Sequence, residues 1–129
     1  MNISAAEPKS VSLALCVPGV YLRLDNNYER AGDMIRHVVF FKFKPESSRD
    51  ERREALDQLR ALPDKIEVIR SFEVGEDLLG SRRSWDAALI AAYDDLTGLE
   101  IYQRHDDHVS VALKLQQLCD AIGSVDYEF

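Results

Sequence analysis

The chain has 129 residues, 46% hydrophobic and 30% charged, a composition typical of one globular domain rather than of a disordered chain. Its formal net charge of −7, from 16 Lys and Arg against 23 Asp and Glu, argues against binding to nucleic acid or to a membrane surface. No apolar run approaches the roughly 18 residues that a membrane-spanning helix needs. The two cysteines match no disulfide or metal pattern and indicate a reducing compartment, so we expect a cytoplasmic protein.

The first 33 residues differ in character from the rest of the chain. Their apolar stretch is interrupted by Pro18 and Gly19 and follows little basic charge, which argues against a signal peptide. We therefore predict an N-terminal extension over residues 1–33 and one domain over residues 34–129. An alternative is that translation begins at Met34. Cys16 and Cys119 match no metal-binding spacing, and both are expected to be free thiols.

The domain opens with a strand predicted over residues 35–44, which are rich in β-branched and aromatic side chains. The odd-numbered residues share one face, which includes His37, Val39 and Phe41. The opposite face includes Val38 and Phe40. Because both faces carry large apolar groups, we expect a second sheet to cover the face that the helices do not.

A capping box at Ser48 and Glu51 predicts the start of the first helix, and Pro63 its end. Its apolar residues at helical spacing are Ala55, Leu56, Leu59 and Leu62. A second strand is predicted over residues 69–74, followed by a polar connection over residues 75–84. A third strand is predicted over residues 85–93. Its core-facing residues would be Trp85, Ala87, Leu89 and Ala91, with Trp85 packing in the core or against a second copy.

Asp95 is predicted to cap a short helix that carries Leu99 and Tyr102. A last helix should follow residues 105–108 and run to about residue 121, ended by Gly123, with the closing strand over residues 124–129. Its inward residues would be Val109, Ala112, Leu115 and Leu118. The resulting α+β order, β-α-β-β-α-α-β, resembles a ferredoxin-like antiparallel sheet with helices on one face.

Four segments resemble, in the same order, segments of the stress-responsive dimeric α/β-barrel (Dabb) family. They are residues 34–44, 71–75, 102–109 and 125–127, and together they span residues 34–129. The resemblance implies a ferredoxin-like subunit whose sheet packs on a second copy to close an α/β barrel. Val38 and Phe40 would then lie at the homodimer interface.

The resemblance also implies a site. A plant polyketide cyclase of this family uses a tyrosine and a histidine that match Tyr102 and His108, and His37 and Asp126 match polar positions of its pocket. Leu59 and Ala87 replace two further polar positions, so a different and smaller substrate is expected. The full set of expected pocket residues is His37, Val39, Phe41, Leu59, Leu89 and Asp126.

Three functions are compatible with these sequence features. The first is a homodimer that binds a small apolar or aromatic molecule near Tyr102 and His108. The second is a cofactor-free, cyclase-like lyase or isomerase, with His108 as general base and Tyr102 as acid or orienting group. The third is a structural, stress-related oligomer in which these side chains only tie two helices together and His37 is a core histidine.

No cofactor is expected from the sequence. A metal is not expected at His105 and His108, because no remote third ligand accompanies them.

Overall fold

The computed structural model describes residues 33–129. Predictions that concern residues 1–32, among them most of the N-terminal extension and the thiol of Cys16, lie outside the described residues. The elements are, in chain order, β1 (Ile35–Phe43), α1 (Arg49–Arg60), a 3-10 turn (Leu62–Asp64), β2 (Ser71–Glu76), β3 (Ala87–Tyr93), α2 (Leu96–Arg104), α3 (Asp106–Leu118) and β4 (Cys119–Glu128). This order confirms the predicted ferredoxin-like α+β fold. Among the described residues, no helix is long and apolar enough to cross a membrane.

The four strands form one sheet in the order β2-β3-β1-β4. β1 and β2 both run antiparallel to β3, with His37 opposite Ala91 in the first pair. β4 runs antiparallel to β1 as well, because the Lys44 amide donates to the Leu118 carbonyl at one end while His37 meets Asp126 at the other. The first strand is therefore central, and β4 lies at an edge of the sheet.

The alternation predicted for β1 is confirmed. Its odd-numbered residues are buried between the sheet and the helices, whereas Val38 and Phe40 are half-buried on the opposite face. Apolar residues of the three helices, the 3-10 turn and β3 complete the core, among them Leu56, Leu59, Leu62, Leu89, Leu99 and Leu115.

Two predicted helix caps are present. The Ser48 hydroxyl accepts from the Glu51 amide at 3.0 Å, and the Glu51 carboxylate accepts from the Ser48 amide at 2.9 Å. The Asp95 carboxylate accepts from the Gly98 amide at 2.8 Å and so begins α2. The end of α1 is earlier than predicted, since the helix stops at Arg60 and Pro63 lies in the 3-10 turn. These caps fix where the helices start and which faces they bury.

The prediction that Trp85 lies in β3 on its core-facing side is wrong. β3 begins at Ala87, because the Asp86 carboxylate accepts a hydrogen bond from the Phe43 amide at 2.7 Å in place of a strand carbonyl. The Trp85 ring is 40% exposed and lies 6.0 Å from the ring of Phe40. Trp85 thus belongs to the outer side of the sheet. The bounds predicted for β2 are also shifted, since this strand spans Ser71–Glu76.

The C-terminal boundaries differ from the prediction too. α3 ends at Leu118 and β4 begins at Cys119, so Gly123 lies inside a strand rather than after a helix. Val109, predicted to face inward, is 41% exposed, and Val111 is buried instead.

Cys119 is a free, buried thiol, as predicted. Burial raises its pKa to about 11, so little of it is thiolate at neutral pH.

Candidate functional site

A cavity of about 120 Å³ lies between the inner face of the sheet and the helices. Five of the six predicted pocket residues line it, together with Tyr102 and His108; the five are His37, Val39, Phe41, Leu59 and Leu89. The sixth, Asp126, stands beside His37. The remaining part of the wall comes from Ala112, Leu115, Gln116 and Ile122. None of these four was predicted as a pocket residue, although Ala112 and Leu115 were predicted to face inward. Three of these four lie on α3 and one on β4, the elements whose bounds or buried face were predicted incorrectly.

The break between α2 and α3 brings Tyr102 and His108 together. His105 is extended at this break, with φ −64° and ψ 136°, and its Nδ1 accepts a hydrogen bond from the Asp107 amide at 3.1 Å. The ring centroids of Tyr102 and His108 lie 4.3 Å apart, with 48° between the ring planes. The two candidate catalytic side chains are therefore in direct contact at the cavity wall.

The hydrogen bonding of His108 fixes its tautomer. Nδ1 lies 3.0 Å from the backbone carbonyl oxygen of Gln103, to which it must donate, so the lone pair of the neutral ring is on Nε2. Burial lowers the pKa of His108, and the proximity of His37 and His105 lowers it further. His108 is therefore a neutral imidazole at physiological pH, with Nε2 as hydrogen-bond or proton acceptor.

Tyr102 is completely buried at the centre of an aromatic cluster. Its ring centroid lies 5.1 Å from that of Tyr93 and 6.1 Å from those of Phe72 and His37. Burial raises the pKa of Tyr102 well above its usual value, so the phenol stays protonated. Its hydroxyl has no hydrogen-bond partner among the described residues, which leaves a donor for a ligand.

His37 is both a cavity residue and a paired core histidine. It is 6% exposed, and its Nδ1 forms a short contact with a carboxylate oxygen of Asp126 across β1 and β4. A carboxylate at Nδ1 holds the ring orientation and leaves Nε2 as the other polar atom. Asp126 therefore does not line the cavity but holds the ring of His37, which does.

The outer face of the sheet carries a second group of the predicted residues. Val38 and Phe40 lie there, and Phe40 packs against Trp85. The alternation of β3 and β4 places three exposed apolar side chains on the same face: Ile90 at 37%, Val125 at 54% and Tyr127 at 47%. This apolar surface is separate from the cavity, on the opposite side of the sheet.

Metal ligands do not converge in the described part of the chain. No group of three or more His, Cys, Asp or Glu side chains between residues 33 and 129 could hold a metal ion. In the segment where a metal was considered, His105 Nδ1 is engaged in capping α3, and His108 Nδ1 faces a carbonyl.

Comparison with known proteins identifies the family. Residues 35–129 match the model of the stress-responsive A/B barrel domain. A dimeric protein of unknown function with a ferredoxin-like fold from Bacteroides fragilis is 32% identical, with a TM-score of 0.65, covering 74% of this chain and 96% of that one. A dimeric ferredoxin-like protein of unknown function from Thermobifida fusca is 25% identical, with a TM-score of 0.70, covering 81% and 97%.

A hydroxynitrile lyase from Passiflora edulis shares the fold, with a TM-score of 0.69 at 16% identity over 75% of this chain and 94% of that one. No curated protein matches the sequence significantly. The match over residues 35–129 agrees with the four motifs found in the sequence, and the chain belongs to the stress-responsive A/B barrel (Dabb) domain family.

Proposed function

We propose that the protein is a homodimer that binds a small, largely apolar molecule in the cavity beside Tyr102 and His108. The observation that carries the proposal is the composition of this cavity. Its walls are mainly aliphatic and aromatic. Its polar groups are those of His37 and Gln116, the neutral imidazole of His108, and the Tyr102 hydroxyl, which has no hydrogen-bond partner among the described residues. Small-molecule sites in proteins generally combine apolar walls with a few placed polar groups in this way.

The size of the cavity limits the ligand. An engineered apolar cavity of ~150 Å³ binds benzene, so about 120 Å³ suits a molecule of roughly six non-hydrogen atoms. A linear polyketide chain is far larger. The size therefore supports a small ligand and argues against the cyclase reaction of the plant relative.

The homodimer is supported by the outer face of the sheet. A continuous apolar surface around Phe40, Trp85 and Ile90 is unfavourable in water, and a second copy would bury it. The Bacteroides and Thermobifida relatives are both described as dimeric. Sheet-to-sheet packing of two copies would form the α/β barrel.

Native mass spectrometry of the purified protein tests this proposal. The expected result is a mass of two chains with one small molecule bound per subunit. The matched control is Ala112→Leu, which adds three carbons to the cavity wall and should carry no such molecule. Equal occupancy in both proteins, or a monomer in either, would overturn the proposal.

A second candidate function is proton transfer on the bound molecule, as in a cofactor-free lyase or isomerase. The orientation of His108 favours it, because the Gln103 carbonyl holds Nδ1–H and leaves a neutral Nε2 in the cavity wall. Nε2 would take the α-proton of a bound ketone, the C–H electron pair would form the enolate double bond, and the Tyr102 hydroxyl would hydrogen-bond the resulting oxyanion. Return of the proton to carbon or oxygen completes the cycle.

Deuterium exchange tests this second candidate without knowledge of the natural substrate. Cyclopentanone, with six non-hydrogen atoms, is incubated with the protein in D2O, and α-deuteration is followed by NMR. With the natural chain, the rate of α-deuteration should exceed the rate in buffer alone. With His108→Ala it should equal the rate in buffer, and the variant should still be a dimer. Exchange at the buffer rate with both proteins would reject proton transfer on ketones and leave ligand binding standing. Loss of the dimer in His108→Ala would mark His108 as structural.

A further inference from the structure

Tyr93 carries a second buried hydroxyl that the proposed site does not use. It is the last residue of β3, is completely buried and does not line the cavity. Its hydroxyl, like that of Tyr102, has no hydrogen-bond partner among the described residues. A buried hydroxyl without a partner is unfavourable and rare in folded proteins, so two on neighbouring rings require an explanation.

The two phenols are placed to act together. Their ring centroids lie 5.1 Å apart with 42° between the planes, and Tyr102 stands between Tyr93 and the imidazole of His108. Burial is the main cause that raises the pKa of both, so both remain protonated. The two hydroxyls do not form a hydrogen bond with each other.

Charge excludes one class of ligand at this end of the cavity. Among residues 33–129, no Lys or Arg lines the cavity, and Asp126 stands behind His37 and close enough to Tyr93 to raise its pKa as well. A carboxylate or phosphate bound here would be buried without a counter-charge, which is strongly unfavourable. An uncharged oxygen acceptor fits this environment.

We propose that Tyr93 is a positioning residue for an uncharged, oxygen-bearing ligand: when the ligand binds, the Tyr93 hydroxyl comes into hydrogen-bond distance of Tyr102 and donates to its oxygen, and Tyr102 in turn donates its hydrogen to the ligand oxygen. This inference rests on the proposed ligand-binding function and specifies its ligand class. The ligand is a small molecule with an apolar body and one ketone or alcohol oxygen directed at Tyr102. A donor that itself accepts a hydrogen bond is polarised and binds the ligand more strongly than an isolated phenol.

Two probes of nearly equal shape test this inference. Cyclopentanone and methylenecyclopentane differ only in the replacement of the carbonyl oxygen by a CH2 group. Dissociation constants are measured by NMR titration, and the infrared carbonyl stretch of bound cyclopentanone reports hydrogen bonding directly. The variants are Tyr93→Phe and Tyr102→Phe, with Leu113→Ala as the control at a side chain of α3 that is 56% exposed and does not line the cavity.

The natural chain should bind the ketone about tenfold more tightly than the hydrocarbon, the effect of one neutral hydrogen bond. Tyr102→Phe should abolish both this preference and the lowering of the carbonyl frequency. Tyr93→Phe should reduce both to intermediate values, since Tyr102 can still donate. Leu113→Ala should change neither. Thermal unfolding of Tyr93→Phe without ligand should be unchanged or shifted upward, because the variant removes a buried hydroxyl that has no partner among the described residues.

Each other outcome overturns the inference in a distinguishable way. A Tyr93→Phe variant with the preference and carbonyl frequency of the natural chain would remove Tyr93 from the site. Equal binding of the two probes by the natural chain would reject the oxygen-acceptor subsite but retain the apolar pocket. Saturable binding of neither probe would reject the pocket itself and the proposed function with it. A large fall in the melting temperature of Tyr93→Phe would show that its hydroxyl is already paired without a ligand.

Discussion

The imidazole of His108 packs against the phenol of Tyr102, with the ring centroids 4.3 Å apart, although the two side chains belong to different helices. The contact depends on the short break at His105, where α2 ends and α3 begins. It couples a protonated phenol to a neutral imidazole at the wall of one cavity.

The first prediction concerns the pH dependence of stability. Burial lowers the pKa of His108 in the folded protein below its ordinary value of 6.5, so the unfolded chain binds more protons between the two pKa values. Stability should therefore fall as the pH decreases from 6.5 through the folded-state pKa. Thermal unfolding between pH 5 and 8 measures it, and His108→Gln should flatten the curve in this window. A curve of the same slope in both proteins would assign the effect to other groups.

The second prediction concerns the partner of His37. Asp126→Ala leaves a buried imidazole nitrogen without its carboxylate and should destabilise the fold by about 1 kcal/mol, since Asp126 is partly exposed. Urea unfolding measures this, with Asp120→Ala, an exposed acidic residue of the same strand, as control. In a His37→Phe background, Asp126→Ala should have little effect. A full effect in that background would show that Asp126 acts through another group.

The third prediction concerns the outer face of the sheet. Phe40→Lys places a charge where two copies are proposed to meet, and it should convert the dimer to a folded monomer. Analytical ultracentrifugation gives the mass, and circular dichroism reports the fold. Leu113→Lys, at a residue of α3 that is 56% exposed, is the matched control and should remain dimeric. A Phe40→Lys protein that is still dimeric would place the interface elsewhere.

The fourth prediction concerns the cavity as a source of instability. Ala112→Leu fills part of a space of about 120 Å³, so it should leave the melting temperature unchanged or raise it. Loss of ligand with retained stability is the combination expected of a binding cavity. A strongly lowered melting temperature would indicate that the space is too small for the added carbons.

The sequence predicted most reliably the features that depend on residues close together in the chain. The alternation in β1 identified the buried face of His37 and the outer face of Phe40, and the capping residues Ser48 and Asp95 fixed the starts of two helices. The motif around Tyr102 and His108 indicated the family and the two candidate residues. The alternation of faces along a strand and the capping of a helix start are both local properties of the chain, so local patterns were sufficient to predict them.

The wall contributed by α3 and β4 was not predictable in the same way. Apolar residues occur at Val109, Val111, Ala112, Leu113 and Leu115, so the spacing does not single out one buried face of α3. β4 contains Gly123 and several polar residues, and it is a strand because it pairs with β1 rather than because of its own propensity. Tyr93 was predicted only as the last residue of a strand, because nothing in the local sequence indicates that its side chain is buried beside Tyr102.

The most direct test of the proposed site is an NMR titration of the natural chain with cyclopentanone, observed at the His108 imidazole. Saturable shifts of the His108 resonance, absent in Ala112→Leu, are the predicted result. No saturable shift in the natural chain, or the same shift in Ala112→Leu, would contradict a ligand site formed by this cavity.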